Sequence, residues 1–71
     1  MTDREALEFL AGKLGGKVAV AEALNVSPQR LNNWIDHRPI SAAMRPVVWA
    51  KVNDHGGNLS RDWLLDRVRA A

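Results

Sequence analysis

Apolar residues recur along most of this chain at the three- and four-residue spacing that is typical of amphipathic α-helices. The first run predicts a helix over Asp3–Leu14, preceded by Thr2 and Glu5 at the spacing of a capping box. Gly15 and Gly16 follow, and glycine readily takes the left-handed conformation that ends helices. The first segment therefore predicts a helix with a defined beginning and end.

Two shorter helices are predicted in the middle of the chain. Lys17–Leu24 forms the first, and Asn25 follows it as a residue that tolerates positive φ. The second is predicted over Pro28–Asp36, because Ser27 is a favourable N-cap and proline is favourable at the first helical position. Its expected inward positions are Leu31, Trp34 and Ile35. Its expected outward positions are Gln29, Arg30, Asn32 and Asn33.

The C-terminal half predicts two more helices. Ser41 is the expected N-cap of a fourth helix, with Pro46 tolerated only within its first turn, and Ser60 is expected to open a fifth. The expected inward positions of these two helices are Met44, Val47, Val48, Val52, Trp63, Leu64 and Val68. Because no alternating run is long enough for a strand, we expect an all-α fold, a compact bundle of about five short helices. The length allows a single domain over residues 1–71.

The composition is that of a globular protein, with 46% hydrophobic and 25% charged residues. The sequence has no cysteine, which excludes disulfides, thiolate zinc sites and cysteine nucleophiles and fits a reducing cytoplasm. No apolar run approaches the roughly 18 residues of a membrane span, and the acidic start is unlike a secretory signal. We therefore expect a cytoplasmic protein without a membrane segment.

The positive charge of the chain gathers in its middle third. Residues 13–45 hold five basic side chains and two acidic ones, out of a net charge of +2 for the whole chain. The basic residues are Lys13, Lys17, Arg30, Arg38 and Arg45. This distribution fits a polyanionic partner, although on charge alone an ordinary solvated surface is the better explanation.

The stretch from Lys17 to Asp36 has the organisation of a helix-turn-helix. Three residues between two short helices are too few for an antiparallel return, so the helices must cross steeply. Such a crossing requires a small residue, here Ala21, and a turn residue that accepts positive φ, here Asn25. The sequence meets both requirements, with apolar residues at the inward positions around them.

Residues 18–35, VAVAEALNVSPQRLNNWI, resemble the helix-turn-helix of the phage Cro and lambda-repressor family, most of all its small Cro-like members. Residues 39–41 and 57–65 are similar to the opening of the next helix and to the last helix of such domains. The likeness covers roughly residues 5–66 and departs at Asn25, where the family usually has glycine. It implies a lambda-repressor-like DNA-binding domain in a transcriptional regulator. Such a phage or prophage repressor blocks a promoter in the cytoplasm or nucleoid of a bacterial host.

Under this resemblance the third helix enters the major groove, and its outward residues suit that role. Glutamine and asparagine each present a donor and an acceptor, which matches N6 and N7 of adenine. A thymine methyl suits Pro28, and either a guanine or a phosphate suits Arg30. The residues predicted to contact bases are Pro28, Gln29, Asn32 and Asn33. Those predicted to contact phosphates are Lys17, Ser27, Arg30 and Arg38.

The remaining aromatic and histidine residues favour structural roles. Trp34, Trp49 and Trp63 lie at helical spacing among aliphatic residues, which favours the core over a stacking platform for single-stranded nucleic acid. His37 and His55 are isolated, so no metal site is predicted. The sequence predicts no cofactor, and nothing in it supports an enzyme.

The expected partner is a double-stranded DNA operator of near-palindromic sequence, bound by two copies of the chain in the geometry that the resemblance implies. Apolar residues left over from the core, Leu65 or Val48, are expected to form a small interface. The homodimer should therefore be weak in solution and assemble on DNA. The alternative is a helical adaptor, such as an antitoxin-like subunit, that uses the same surface to bind a protein partner.

Overall fold

A computed structural model of the chain describes residues 2–36 and 38–70, the last five of them by backbone alone, so His37 and the side chain of Val68 lie outside the described residues. In this described part the chain forms five α-helices and no strand, so the predicted all-α fold is confirmed. The helices are α1 (Asp3–Leu14), α2 (Lys17–Leu24), α3 (Pro28–Asp36), α4 (Arg45–Asp54) and α5 (Arg61–Ala70). None of them combines the length and the hydropathy that a membrane crossing requires.

Local hydrogen bonds explain where α1 begins, and residues in the left-handed conformation explain where α1 and α2 end. At the start of α1, the Thr2 hydroxyl accepts from the Glu5 backbone N–H at 3.1 Å, and the Thr2 N–H donates to Glu5 Oε1 at 2.9 Å. This is the predicted capping box. Gly15 ends α1 with a φ of 99°, and Asn25 ends α2 with a φ of 57°. Both lie in the left-handed region, which glycine and asparagine adopt at the lowest cost.

The capping box makes part of the stability of α1 dependent on pH. The pKa of Glu5 is lowered, first by a hydrogen bond with the Thr2 backbone and second by one with the Thr2 side chain. A carboxyl whose pKa is lower in the folded state stabilises that state above its unfolded-state pKa, and this contribution is lost as the pH falls through the folded-state pKa. We expect the parent to exceed Glu5→Gln in stability at neutral pH and to lose that advantage on acidification. Urea unfolding at several pH values measures the difference, and a difference independent of pH would contradict the prediction.

One apolar core joins all five helices of the described chain. α1 lies at its centre and packs against α2, α3 and α4, while α5 packs against α4. The buried apolar residues are Ala6, Leu7, Leu10, Val20, Ala21, Leu24, Leu31, Trp34, Ile35, Ile40, Val48, Val52, Leu59 and Trp63. Two of the three tryptophans belong to this set and Trp49 packs against it, so their predicted place in the core is confirmed.

The predicted start of the fourth helix is wrong. α4 begins at Arg45, and residues 42–44 form a turn in which the Ser41 carbonyl accepts from two backbone N–H groups at 3.0 and 3.1 Å. The Ser41 hydroxyl is buried and has no hydrogen-bond partner among the described residues. Pro46 explains the late start. In a helix beginning at Ala42 its missing N–H would leave the Ala42 carbonyl without a partner, whereas in α4 it is the second residue and costs no hydrogen bond.

The inward face of α4 also differs in part from the prediction. Val48 and Val52 are buried as expected, but Val47 is 38% exposed and Met44 is only partly buried. Adjacent residues on a helix point roughly 100° apart, so Val47 and Val48 cannot both face the core. Val48 is therefore not available to a second copy of the chain, and this prediction is wrong.

Arg45 lies inside the fold, although the sequence places it among the surface cations. It is 2% exposed. Its Nη1 donates to both carboxylate oxygens of Asp3 at 3.0 Å, and its Nε and Nη2 donate to the Trp63 carbonyl at 3.1 and 2.6 Å. The guanidinium also lies 4.0 Å from the centroid of the Trp63 ring. All three guanidinium nitrogens thus have partners, as a buried charge requires.

The same carboxylate holds the segment that follows α3. Asp3 Oδ2 accepts from the Ile40 N–H at 2.9 Å as well as from Arg45. The start of α1, the segment at residues 38–41, α4 and α5 are therefore joined at one point. Because Arg45 is paired and buried, the basic excess in the middle third is smaller at the surface than the sequence predicts.

Candidate nucleic-acid interface

The turn between α2 and α3 is closed by backbone hydrogen bonds. The Asn25 N–H donates to the Glu22 carbonyl at 3.1 Å, and the Val26 N–H donates to the Ala21 carbonyl at 3.0 Å. Ala21 on α2 and Leu31 on α3 are both buried, and the two helices pack against each other. Asn25 takes the left-handed conformation that the sequence predicts for the residue after α2.

α3 has a buried apolar face and an exposed polar one. Leu31, Trp34 and Ile35 are buried, as predicted. The exposed residues are Pro28, Gln29, Arg30, Asn32, Asn33 and Asp36. The four residues predicted to contact bases are all in this exposed set, and they share one short helix.

The amide side chains on the exposed face are free to bind a ligand. Within the described part of the chain, Gln29, Asn32 and Asn33 make no side-chain hydrogen bond to the protein. An amide that water alone satisfies can exchange that water for the edge of a base at little cost, because it leaves no buried group unpaired. The three amides therefore have the exposure and the unused hydrogen-bonding capacity that base recognition requires.

The beginnings of α2 and α3 provide groups suited to an anion. Lys17 is exposed at the first position of α2, whose N-cap Gly16 has no side chain to bond the first N–H groups and whose first turn has no acidic residue. At α3 the Ser27 hydroxyl accepts from the Arg30 backbone N–H at 3.2 Å, so serine caps the helix as predicted. Its hydrogen remains available to a phosphate oxygen. Helix N-termini favour negative charge, and here no carboxylate in the first turn supplies it.

Arg30 and Arg38 lie at a pocket beside the exposed face of α3. The pocket has a volume of about 330 Å³, and both arginines line it together with Asn33, Trp34, Pro39 and Ser41. The Arg30 guanidinium lies 5.3 Å from the centroid of the Trp34 ring. Two of the four residues predicted to contact phosphate are thus brought together, while Lys17 and Ser27 lie at the helix starts.

Arg4 on α1 interacts mainly with Glu8 and weakly with the charge of Asp36 on α3. A hydrogen bond to Glu8 and the charge of Glu8 raise the pKa of Arg4, and the charge of Asp36 adds to this effect. Arg4 and Glu8 form an exposed ion pair on α1 at 3.0 Å. Arg4 and Asp36 thus attract each other weakly across the two helices, outside the arginine-lined pocket.

Sequence reasoning missed the pocket and the contact between Arg30 and Trp34. The contact was detectable, because residues four apart on a helix are neighbours and the prediction already placed both on α3. The pocket was not detectable, because it depends on the path of residues 38–41. That path is held by Asp3, at the start of α1, through its hydrogen bond with the Ile40 N–H.

Comparisons of this chain with protein-family models, with curated proteins and with solved structures found no match.

Proposed function

We propose that this protein is a sequence-specific double-stranded DNA-binding regulator of transcription, a Cro-like repressor that blocks a promoter by occupying it. α2 and α3 act as a helix-turn-helix, and α3 enters the major groove. The observation that supports this most strongly is the exposed face of α3, where three amide side chains without protein partners stand opposite three buried apolar ones. A helix that is anchored on one face and polar on the other suits insertion into a groove.

The size of α3 fits the groove. An α-helix is about 10–12 Å across with its side chains, which matches the width of about 12 Å of the major groove, and α3 is a single helix of nine residues. Gln29, Asn32 and Asn33 then face the base edges, and each amide can pair with adenine through one donor and one acceptor. Pro28 contacts a thymine methyl at the beginning of the helix.

Phosphate contacts set the position of α3 on the duplex. Lys17 and the N–H groups of the first turn of α2 bind one strand, and the hydroxyl of Ser27 adds a contact at the start of α3. These groups carry no sequence information, so they contribute equally to any duplex. Arg30 and Arg38 contribute in the same way from the arginine-lined pocket.

We expect Gln29→Ala and Asn33→Ala each to weaken binding of the preferred duplex by about 1–3 kcal/mol, because each removes a two-point contact to one base. Binding of an unrelated duplex should remain nearly unchanged. Fluorescence anisotropy with both duplexes measures the two affinities.

Lys17→Ala is the matched control for these variants. It removes a phosphate contact, so it should weaken the binding of both duplexes by the same factor. If alanine at Gln29, Asn32 and Asn33 left the affinity for the preferred duplex unchanged, α3 would not be the recognition helix.

The salt dependence of binding tests the class of partner. Displacement of counterions from DNA makes the logarithm of the affinity fall linearly with the logarithm of salt concentration. An adaptor that binds a protein through an apolar surface has no such dependence. We expect the first result, and an affinity for duplex DNA that is absent or independent of salt would contradict the proposal.

Two copies are proposed to bind one operator. A single recognition helix contacts too few base pairs to select one site among a genome of competitors, and a pair of copies doubles that number. Val47 on α4 and Leu65 on α5 are each 38% exposed, so the apolar surface that either offers to a second copy is small. So small a surface supports only weak association in solution, which a palindromic duplex would strengthen by placing two half-sites about 34 Å apart.

We expect a palindromic duplex to bind two chains cooperatively and a single half-site to bind one chain far more weakly. Titration of both labelled duplexes, with the stoichiometry determined at saturation, measures this. Equal affinity for the two duplexes, with one chain bound to each, would exclude the dimer.

A further inference from the structure

We propose that the arginine-lined pocket holds a single phosphate group between Arg30 and Arg38. The pocket lies between α3 and residues 38–41, and it borders the exposed face through Asn33. The inference rests on the proposed function in that a phosphate of the DNA backbone is the expected occupant. The pocket would give α3 a fixed reference point on the backbone beside the bases that it contacts.

The two arginines reach the pocket from different elements, and both elements are held in place. Arg30 extends from the first turn of α3. Arg38 follows the helix, and its N–H donates to the Asn33 carbonyl at 2.8 Å. Two residues later the Ile40 N–H is bound by Asp3 at 2.9 Å, so residues 38–40 are tied to α3 at one end and to α1 at the other. The position of Arg38 relative to α3 is therefore set by the fold.

Trp34 orients Arg30 without neutralising its charge. The guanidinium lies 5.3 Å from the ring centroid, within the range of a cation–π contact. The ring itself is 6% exposed, so it forms a fixed wall of the pocket. An ion pair would use the charge of Arg30, whereas an aromatic contact leaves the N–H donors at the guanidinium edge free for an anion.

The charge of the pocket matches a phosphate group. Among the described residues that line it, two carry a positive charge and none carries a carboxylate. Guanidinium groups bind phosphate through paired N–H donors, and two such groups can share the oxygens of one phosphate. The volume of about 330 Å³ leaves room for the sugar on either side.

The salt dependence of DNA binding tests whether the two arginines share one phosphate. Each phosphate that a protein neutralises contributes about 0.9 to the slope of log affinity against log salt. If the two arginines share one phosphate, Arg30→Ala and Arg38→Ala should each weaken binding and leave the slope nearly unchanged. The double variant should reduce the magnitude of the slope by about 0.9. The matched control is Arg61→Ala, an exposed arginine outside the pocket, which should change neither the affinity nor the slope.

Slope losses of about 0.9 in each single variant and about twice that in the double variant would overturn the inference and assign two separate phosphates. Unchanged affinity in the double variant would overturn it as well. In both cases duplex binding by the parent would still stand, so the proposed function would survive.

A second experiment separates a backbone phosphate from a free one and needs no duplex. Inorganic phosphate and a nucleoside 5′-monophosphate are titrated into ¹⁵N-labelled protein, and the Asn33 side-chain amide and Arg30 Nε–H resonances are followed. Saturable shifts that disappear in the double variant would support the pocket and show that it also accepts free phosphate. If no shifts appear and the salt experiment gives the result expected for a shared phosphate, the pocket is supported as a site that binds phosphate only as part of the DNA backbone. If the parent binds no duplex, the proposed function fails, and the absence of shifts then overturns the pocket too.

Discussion

Arg45→Met should lose about 3 kcal/mol of folding free energy, because it breaks a buried ion pair and leaves the other partners in place. The Asp3 carboxylate would lose two of its three hydrogen bonds, and the Trp63 carbonyl would lose both donors from Arg45. A core of this size rarely provides more than about 3–5 kcal/mol in total, so the variant should keep at most about 2 kcal/mol and be partly unfolded near room temperature. Thermal and urea unfolding followed by circular dichroism measure the loss.

Arg4→Met is the matched control, because it breaks an arginine–carboxylate pair of the same 3.0 Å length at the surface. Its side chain is 64% exposed, so solvent screens the pair and the expected cost is much smaller than that of Arg45→Met. Adding Asp3→Asn to Arg45→Met should recover part of the loss, because it removes the unpaired carboxylate charge. Equal losses in Arg45→Met and Arg4→Met would contradict the structural role of the buried pair.

Trp34→Ala should cost about 3–5 kcal/mol, through the loss of a large buried side chain and the cavity that remains. The ring is 6% exposed and belongs to the buried core, so alanine at this position would leave a large cavity. The expected result is a protein with little helical dichroism and no cooperative thermal transition at ordinary temperature.

Trp34→Phe keeps an aromatic ring at this position and should retain the fold with a smaller loss of stability. This control shows whether the loss of stability in Trp34→Ala comes from the missing aromatic ring or from any substitution at this position. A melting temperature of Trp34→Ala close to that of the parent would show that the ring does not support the core.

The first three helices were predictable because short-range signals determine them. The capping box at Thr2, the left-handed cap at Gly15 and the serine before Pro28 act within a few residues, and each is present in the structure. The inward positions of α3 were predictable for the same reason, since its apolar residues repeat with the period of a helix.

The fourth helix and the buried arginine were not predictable from local patterns. Val47 and Val48 are equally apolar, and only the packing of α4 on α1 decides which one is buried. Arg45 is indistinguishable from a surface cation until the fold brings it to Asp3, 42 residues earlier in the chain. Contacts of such long range depend on the whole arrangement of helices.

The candidate interface was predictable in its residues and not in its shape. The exposed amides of α3 follow from the helical period, and the structure places Gln29, Asn32 and Asn33 where that period does. The pocket shared by Arg30 and Arg38 depends on how residues 38–41 return to α1, and no sequence spacing encodes that path.

Selection of bound duplexes from a random pool tests most directly whether the exposed face of α3 determines a DNA sequence. The parent should enrich one near-palindromic sequence. Lys17→Ala should enrich the same sequence more weakly, and the triple variant Gln29→Ala, Asn32→Ala, Asn33→Ala should enrich none. Circular dichroism confirms that all three proteins are folded before the selection. A parent that enriches no sequence, or a triple variant that enriches the sequence selected by the parent, would contradict the account.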